Sequence, residues 1–143
     1  GETNVIQFVT IASIGNAQDF GDLLNPKDNM MSKNGSSTRM LICGGRDYTP
    51  SATVTNVIEF LTIATTGNTT DFGDFSTAKS SMGSANNSII GIFQGGATPS
   101  RTTTIQSITI ATTGDAVEYG DCNITDPLFG REGCSDSHGG LTE

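Results

Sequence analysis

The sequence predicts an all-β protein made of three repeats of about 50 residues, each a four-stranded antiparallel unit. The first observation behind this prediction is the segment VTIASIGNAQDFGDL at residues 9–23, which returns as LTIATTGNTTDFGDF at 61–75 and as ITIATTGDAVEYGDC at 108–122. The second is a composition rich in Gly, Thr, Ser and Asn, with no Trp and only 34% apolar residues, which suits short strands joined by turns. A period near fifty residues is typical of arrays, propellers and pseudo-threefold folds.

The first two strands of each unit are predicted upstream of a Gly doublet. The weaker candidates are NMMSKN at residues 29–34 and SSMGSANN at 80–87. The stronger candidates are TRMLICGG at 38–45 and SIIGIFQGG at 88–96, because their apolar runs are short, partly β-branched and bounded by turn residues.

The third strand, NVIEFLTIAT at residues 56–65, carries apolar residues on both faces. One face holds Val57, Glu59 and Leu61, and the other holds Ile58 and Phe60. A strand of this kind is usually covered on both sides, which predicts stacked or radially packed sheets. Gly67 and Asn68 then predict a tight turn, and TTDFGD at 69–74 is the returning fourth strand.

The chain is expected to be one domain, residues 1–143, with units at about 1–46, 47–97 and 98–143. It opens on the third strand of a unit, NVIQF at residues 4–8. The strands that should precede it can come from LFGREGCSDSHGGL at 128–141 or from another copy of the chain. Since open strand edges pair with neighbours, this organisation predicts self-association.

The segment AKSSMGSANNSIIGIFQGG with TNVIEFLTIAT and TTDFGDF resembles a blade of the kelch-type β-propellers. The segments TIATTGN, DFGD and SDSHGGL also resemble tandem repeats in structural and fibre proteins of marine bacteriophages. Aromatic residues stand where a kelch blade has its outer-strand Trp: Phe20, Phe72 and Tyr119. Because propellers close with four to eight blades, three units imply closure by oligomerisation or strand exchange. The resemblance implies an extracellular or virion location.

Two functions remain open. The first is a non-enzymatic structural protein that assembles with itself into a fibre, filament or ring. The second is a monomeric β-trefoil module that binds a cell-surface glycan, since a trefoil needs three four-stranded units in about this length. The residues expected to matter for the first are architectural: Gly44, Gly45, Gly95, Gly96, Phe20, Phe72 and Tyr119. For Tyr119, which takes the Phe position of the other repeats, a core role is expected.

Paired acidic residues are the candidates for a metal site. They recur in every repeat as Asp19 and Asp22, Asp71 and Asp74, and Glu118 and Asp121. Carboxylates beside Gly and Asn can bind Ca²⁺, but the chain has no D-x-D-x-D-G loop. Capping of turns is therefore the favoured interpretation.

The remaining candidates are single residues. Cys122 and Cys134 flank a short C-terminal loop and are a candidate disulfide, while Cys43 is expected in the core. His138 with Cys134 is too sparse for a zinc site. Tyr48, in the loop RDYTPS, is the exposed candidate for stacking on a sugar.

Charge and hydropathy argue against several partners. The formal net charge is −8 and no basic stripe exists, which disfavours nucleic acid and anionic membrane surfaces. The longest apolar run is far too short to span a bilayer. DFG at residues 19–21 and 71–73 lacks every other kinase element, and no G-x-S-x-G elbow is present, so no enzyme is predicted.

Overall fold

A computed structural model describes residues 2–31, 34–123 and 133. The regular secondary structure in this part of the chain consists of β-strands alone. The strands are β1 (Val5–Phe8), β2 (Gln18–Asp22), β3 (Lys27–Asp28), β4 (Arg39–Cys43), β5 (Arg46–Asp47), β6 (Thr53–Val54), β7 (Val57–Thr62), β8 (Thr70–Asp74), β9 (Gly83–Asn86), β10 (Ile90–Gln94), β11 (Ala97–Thr98), β12 (Ser100–Arg101), β13 (Thr104–Thr109) and β14 (Val117–Asp121). The predicted all-β class is confirmed. Among the described residues, no helix is long and apolar enough to cross a membrane.

Three antiparallel sheets of increasing size follow one another along the chain. Sheet 1 pairs β1 with β2, sheet 2 has the order β4-β7-β8, and sheet 3 has the order β14-β13-β10-β9. Two small sheets, β3-β5-β6 and β11-β12, lie in the connections. The strands predicted at residues 38–45, 56–65 and 69–74 are present as β4, β7 and β8.

The weaker strand candidates behave differently from each other. Residues 80–87 contain β9, whereas the described part of 29–34 contributes only a bridge between Met31 and Cys43. Within the described residues, only sheet 3 therefore has four strands.

Both faces of β7 are covered, as its sequence predicts. Ile58 belongs to an apolar cluster shared with sheet 3, and Phe60 packs against that cluster. Leu61, on the other face, belongs to a second cluster that includes Ile6 and Phe20 of sheet 1. Sheet 2 is thus packed between sheet 1 and sheet 3.

The larger of the two clusters supplies most of the core. Its members are Leu41, Cys43, Ile58, Phe72, Phe75, Met82, Phe93, Ile108, Ile110 and Ala116. Phe75 and Phe93 meet edge to face in it, with ring centroids 5.0 Å apart. Fully burying an aromatic or aliphatic side chain of this kind contributes about 1.5–3 kcal/mol.

A β-bulge recurs at the same place in all three main sheets. In β1–β2 the register shifts after Ile6, in β7–β8 after Ile58, and in β13–β14 after Ile105. The extra residues opposite these points are Phe20, Phe72 and Tyr119. Each is followed by a glycine with φ between 144° and 149°, a conformation that residues with a Cβ rarely adopt.

The tight turn predicted at Gly67 and Asn68 is wrong. β7 ends at Thr62 and β8 begins at Thr70, so these two residues lie in a longer loop. The backbone of that loop bonds to a neighbouring sheet, which a two-residue hairpin turn could not reach.

Candidate functional site

The loop between β7 and β8 bonds to the end of β2 in the preceding sheet. The Gly67 N–H donates to the Phe20 carbonyl at 2.7 Å, and the Thr69 N–H donates to the Asp22 carbonyl at 2.8 Å. In return, the Asp22 N–H donates to Asn68 Oδ1 at 3.0 Å. The Thr69 hydroxyl also donates to the Asp22 carbonyl at 3.3 Å, so four hydrogen bonds join this loop to the end of β2.

The loop between β13 and β14 makes the same contact with β8. The Gly114 N–H donates to the Phe72 carbonyl at 2.7 Å, and the Ala116 N–H donates to the Asp74 carbonyl at 2.8 Å. The Asp74 N–H donates to Asp115 Oδ1 at 3.0 Å. We call residues 67–69 and 114–116 docking loops, and residues 20–22 and 72–74 acceptor ends.

Residue types at the contact follow from its geometry. A Cβ on Gly21 would overlap the Gly67 carbonyl, and one on Gly73 would overlap the Gly114 carbonyl. The middle residue of each docking loop, Asn68 or Asp115, supplies a side-chain oxygen that accepts a backbone N–H. Glycine in the acceptor end and Asn or Asp in the docking loop are thus required by the contact.

A buried ion pair lies behind the first contact. Lys27 Nζ bonds to Glu59 Oε1, and both side chains are at most 1% exposed. Glu59 Oε2 also accepts from the Leu24 N–H at 2.9 Å and from the Thr69 hydroxyl. The carboxylate therefore joins the docking loop of sheet 2 to the connection that leaves sheet 1. Its hydrogen bonds compensate for the loss of hydration.

The second contact lacks the equivalent carboxylate. Lys79 and Gln106 stand at the repeat positions of Lys27 and Glu59. Lys79 Nζ donates to the Thr104 hydroxyl, and among the described residues it has no carboxylate within ion-pair distance. Burial lowers the pKa of Lys79, with the charge of Asp121 opposing the shift. Gln106 Nε2 donates to the Ser76 hydroxyl instead.

One docking loop and one acceptor end have no such neighbour within the described residues. Residues 15–17, the docking loop of sheet 1, are exposed to solvent: Ala17 is exposed, whereas its counterparts Thr69 and Ala116 are buried. Residues 119–121 are the acceptor end of sheet 3, and a Cβ on Gly120 would meet nothing within 4 Å. Tyr119 is 64% exposed, whereas Phe72 is 3% exposed. The expected core role is therefore wrong for Tyr119.

The aromatic residues of the other two repeats contact their own hairpins. The Phe8 and Phe20 rings meet edge to face at 5.9 Å, and the Phe60 and Phe72 rings do so at 6.0 Å. Phe20 packs against the smaller apolar cluster between sheets 1 and 2, whereas Phe72 belongs to the larger cluster and Phe60 packs against it.

The Gly doublets pass close to neighbouring backbone. Gly44 and Gly95 have φ of 58° and 65°, and Gly45 and Gly96 have φ of 98° and 94°. A Cβ on Gly44 would overlap the Lys79 carbonyl. The doublets thus combine left-handed backbone with close packing.

The six acidic candidates lie within strands β2, β8 and β14 rather than at turns. Asp19, Asp71 and Glu118 are exposed, and no group of three acidic, His or Cys side chains suitable for a metal occurs in the described part of the chain. Asp121 Oδ1 accepts from the Thr103 hydroxyl at 3.2 Å. The favoured turn-capping interpretation does not fit these positions, and calcium binding stays the less favoured alternative that the sequence left open.

Tyr48, the candidate for a sugar platform, belongs to a polar cluster. Its hydroxyl donates to Asp28 Oδ2 at 2.9 Å, and Arg46 bonds to both oxygens of the same carboxylate at 2.9 and 2.6 Å. The hydrogen bond from Arg46 lowers the pKa of Asp28, helped by Tyr48 and opposed by burial. The Tyr48 side chain is therefore held against the protein.

The cysteine candidates are only partly described. Cys43 is buried in the core as expected, and burial raises the pKa of its thiol. Cys122 lies half-buried with its Sγ 3.8 Å from Gln94 Oε1. Cys134 and His138 fall outside the described residues.

A scan against protein-family models and a search of curated proteins found no match to this chain. The described contacts between successive sheets are accordingly the basis for any functional conclusion.

Proposed function

We propose that this protein is a non-enzymatic structural protein that assembles with copies of itself into an extracellular or virion-associated fibre, filament or ring. The proposal includes the finer fold prediction: three kelch-like repeats of about 50 residues that close through a second copy. Its support is the open edge of sheet 1, together with the resemblance of the repeats to structural and fibre proteins.

The open edge belongs to β1. In sheets 2 and 3 the corresponding strands, β7 and β13, each have a strand on both sides, whereas β1 pairs with β2 alone in the described residues. The Asn4 carbonyl accepts from the Leu23 N–H at 2.8 Å, beyond the end of β2. The alternation of an antiparallel ladder then turns the N–H groups of Val5 and Gln7 to the open side. The Val5 N–H donates to Thr3 Oγ1 at 3.2 Å, so the Gln7 N–H is the donor that the edge offers to another strand. Such an edge is a template for pairing with another chain.

The experiment is to measure the mass of the purified chain in solution by light scattering and sedimentation across a concentration series, with electron microscopy of the same samples. Species at multiples of 14.8 kDa are expected, growing with concentration. A stable monomer at every concentration would overturn the proposal and favour the glycan-binding alternative.

Two variants at one position test the open edge itself. Gln7→Pro removes the N–H that faces the open side and should weaken association, because proline cannot donate to a ladder. Gln7→Thr keeps the N–H and a strand-forming residue, so it should associate like the wild type. Equal association of the two variants would show that β1 is not the edge that pairs.

A further inference from the structure

Within the described residues, one docking loop and one acceptor end have no partner, and they lie at opposite ends of the structure. The vacant docking loop is residues 15–17 in sheet 1, and the vacant acceptor end is residues 119–121 in sheet 3. Each half has a filled counterpart elsewhere in the chain. A surface that repeats an existing interface is complementary to its own opposite end, which is the condition for head-to-tail association.

We propose that the docking loop of one copy binds the acceptor end of a second copy with the hydrogen bonds of the two internal contacts. This inference rests on the proposed function and names the surfaces that join the copies. The Gly15 N–H donates to the Tyr119 carbonyl of the second copy, and the Ala17 N–H donates to the Asp121 carbonyl. Asn16 Oδ1 accepts from the Asp121 N–H.

Sequence at both ends keeps the residue types that the contact requires. Residues 15–17 read Gly-Asn-Ala, combining the Gly-Asn of one internal docking loop with the terminal Ala of the other. Residues 119–121 read Tyr-Gly-Asp, and Gly120 has φ 149°, close to the 148° of Gly21 and the 144° of Gly73. The backbone at the vacant acceptor end thus has the conformation seen at the two filled ones.

Exposed apolar side chains surround the vacant docking loop. Val9 is 58% exposed, whereas Leu61, at the same repeat position, is 5% exposed against sheet 1. Ile11 is 98% exposed; of its two counterparts, Ile110 is fully buried and Ile63 is 47% exposed. A second copy seated on this face would cover Val9, as the internal contacts cover Leu61 and Ile108.

The docking face needs no buried charge. Gln7 stands where sheet 2 has Glu59 and where sheet 3 has Gln106. Because a neutral amide replaces the carboxylate, the contact between copies does not require a lysine partner. It therefore matches the second internal contact more closely than the first.

The test is a set of exposed single substitutions in the full chain, with the association constant measured by sedimentation equilibrium and the fold checked by circular dichroism. Asn16→Ala removes the accepting oxygen and should weaken association by about threefold to tenfold. Asn16→Asp should not, because Asp115 serves the same role internally. Ala17→Pro removes a donor and should weaken association, whereas Ala17→Thr, which copies Thr69, should not.

A change on the acceptor side completes the set. Tyr119→Phe copies Phe72 and should associate normally, whereas Tyr119→Glu places a charge against the docking face and should weaken association. If the wild type assembles and all these variants assemble equally well, docking through this loop is overturned while self-assembly stands. If the wild type does not associate, both proposals fail.

Discussion

Lys27 of the connection after sheet 1 forms an ion pair with Glu59 of β7, with both side chains at most 1% exposed. The two residues are 32 positions apart in sequence, and the pair lies directly behind the docking loop of sheet 2. Sheet 1 and sheet 2 are thus joined by a charged contact inside the protein as well as by the backbone bonds outside it.

Glu59→Gln should destabilise the protein by about 3–5 kcal/mol, because it leaves Lys27 buried without its carboxylate. Gln is chosen because Gln106 shows that the amide fits the equivalent position. Urea unfolding followed by circular dichroism measures the effect. The double variant Lys27→Met with Glu59→Gln should recover much of the loss, and an equally unstable double variant would contradict the explanation.

Gly73→Ala should destabilise the protein more than Gly120→Ala by about 1–3 kcal/mol. The two glycines have nearly equal φ, 144° and 149°, so the backbone strain of the substitution is matched. They differ in that a Cβ on Gly73 overlaps the Gly114 carbonyl, whereas one on Gly120 meets nothing. Thermal and urea unfolding at low protein concentration, where copies do not associate, give the comparison. Equal losses would mean that the approach of the docking loop is not tight.

Lys79→Met should stabilise the protein at neutral pH, because it removes a charge whose burial lowers the pKa of Lys79. The folded state binds fewer protons than the unfolded state between the lowered pKa and the ordinary value of 10.5, so wild-type stability should rise with pH through that window. The difference in unfolding free energy between Lys79→Met and the wild type should therefore shrink as pH rises. Urea unfolding of both proteins from pH 7 to pH 10.5 measures this, and a constant difference would argue against it.

Arg46→Gln should make stability less sensitive to acid. The hydrogen bond from Arg46 keeps the pKa of Asp28 below 3.8, so the stability that this carboxylate contributes is present above pH 3.8 and is lost as pH falls through the lower, folded-state value. Without Arg46, the protein should lose less stability as pH falls. Thermal unfolding from pH 5 to pH 2 gives the slope. Tyr48→Phe, which keeps Arg46, is the control and should resemble the wild type more closely.

The strands of the middle repeat were predictable because their signal is local. The alternation in β7, with apolar residues on both faces, predicted a strand covered on both sides, and Ile58 and Leu61 do lie in different clusters. The predicted Gly doublets also carry left-handed backbone. Each of these features depends on residues within a few positions of one another.

The contacts between sheets were not predictable from those local signals. Gly67 and Asn68 have the composition of a tight turn, and only the approach of β2, about one repeat upstream, makes them a docking loop. The sequence does show that Lys27 and Lys79 occupy the same repeat position. Which residue each lysine bonds to, however, depends on how one sheet stacks on the next.

The bulges at Phe20 and Phe72 have a consequence for the direction in which sheets join. An extra residue interrupts the ladder at the point where its own carbonyl accepts a hydrogen bond from a different sheet. A perfectly regular hairpin would use that group within its own plane and could extend only sideways. One additional residue per hairpin thus directs a backbone carbonyl out of the plane of its sheet, so that successive sheets join face to face. The resulting stack has two different ends, one that donates hydrogen bonds and one that accepts them.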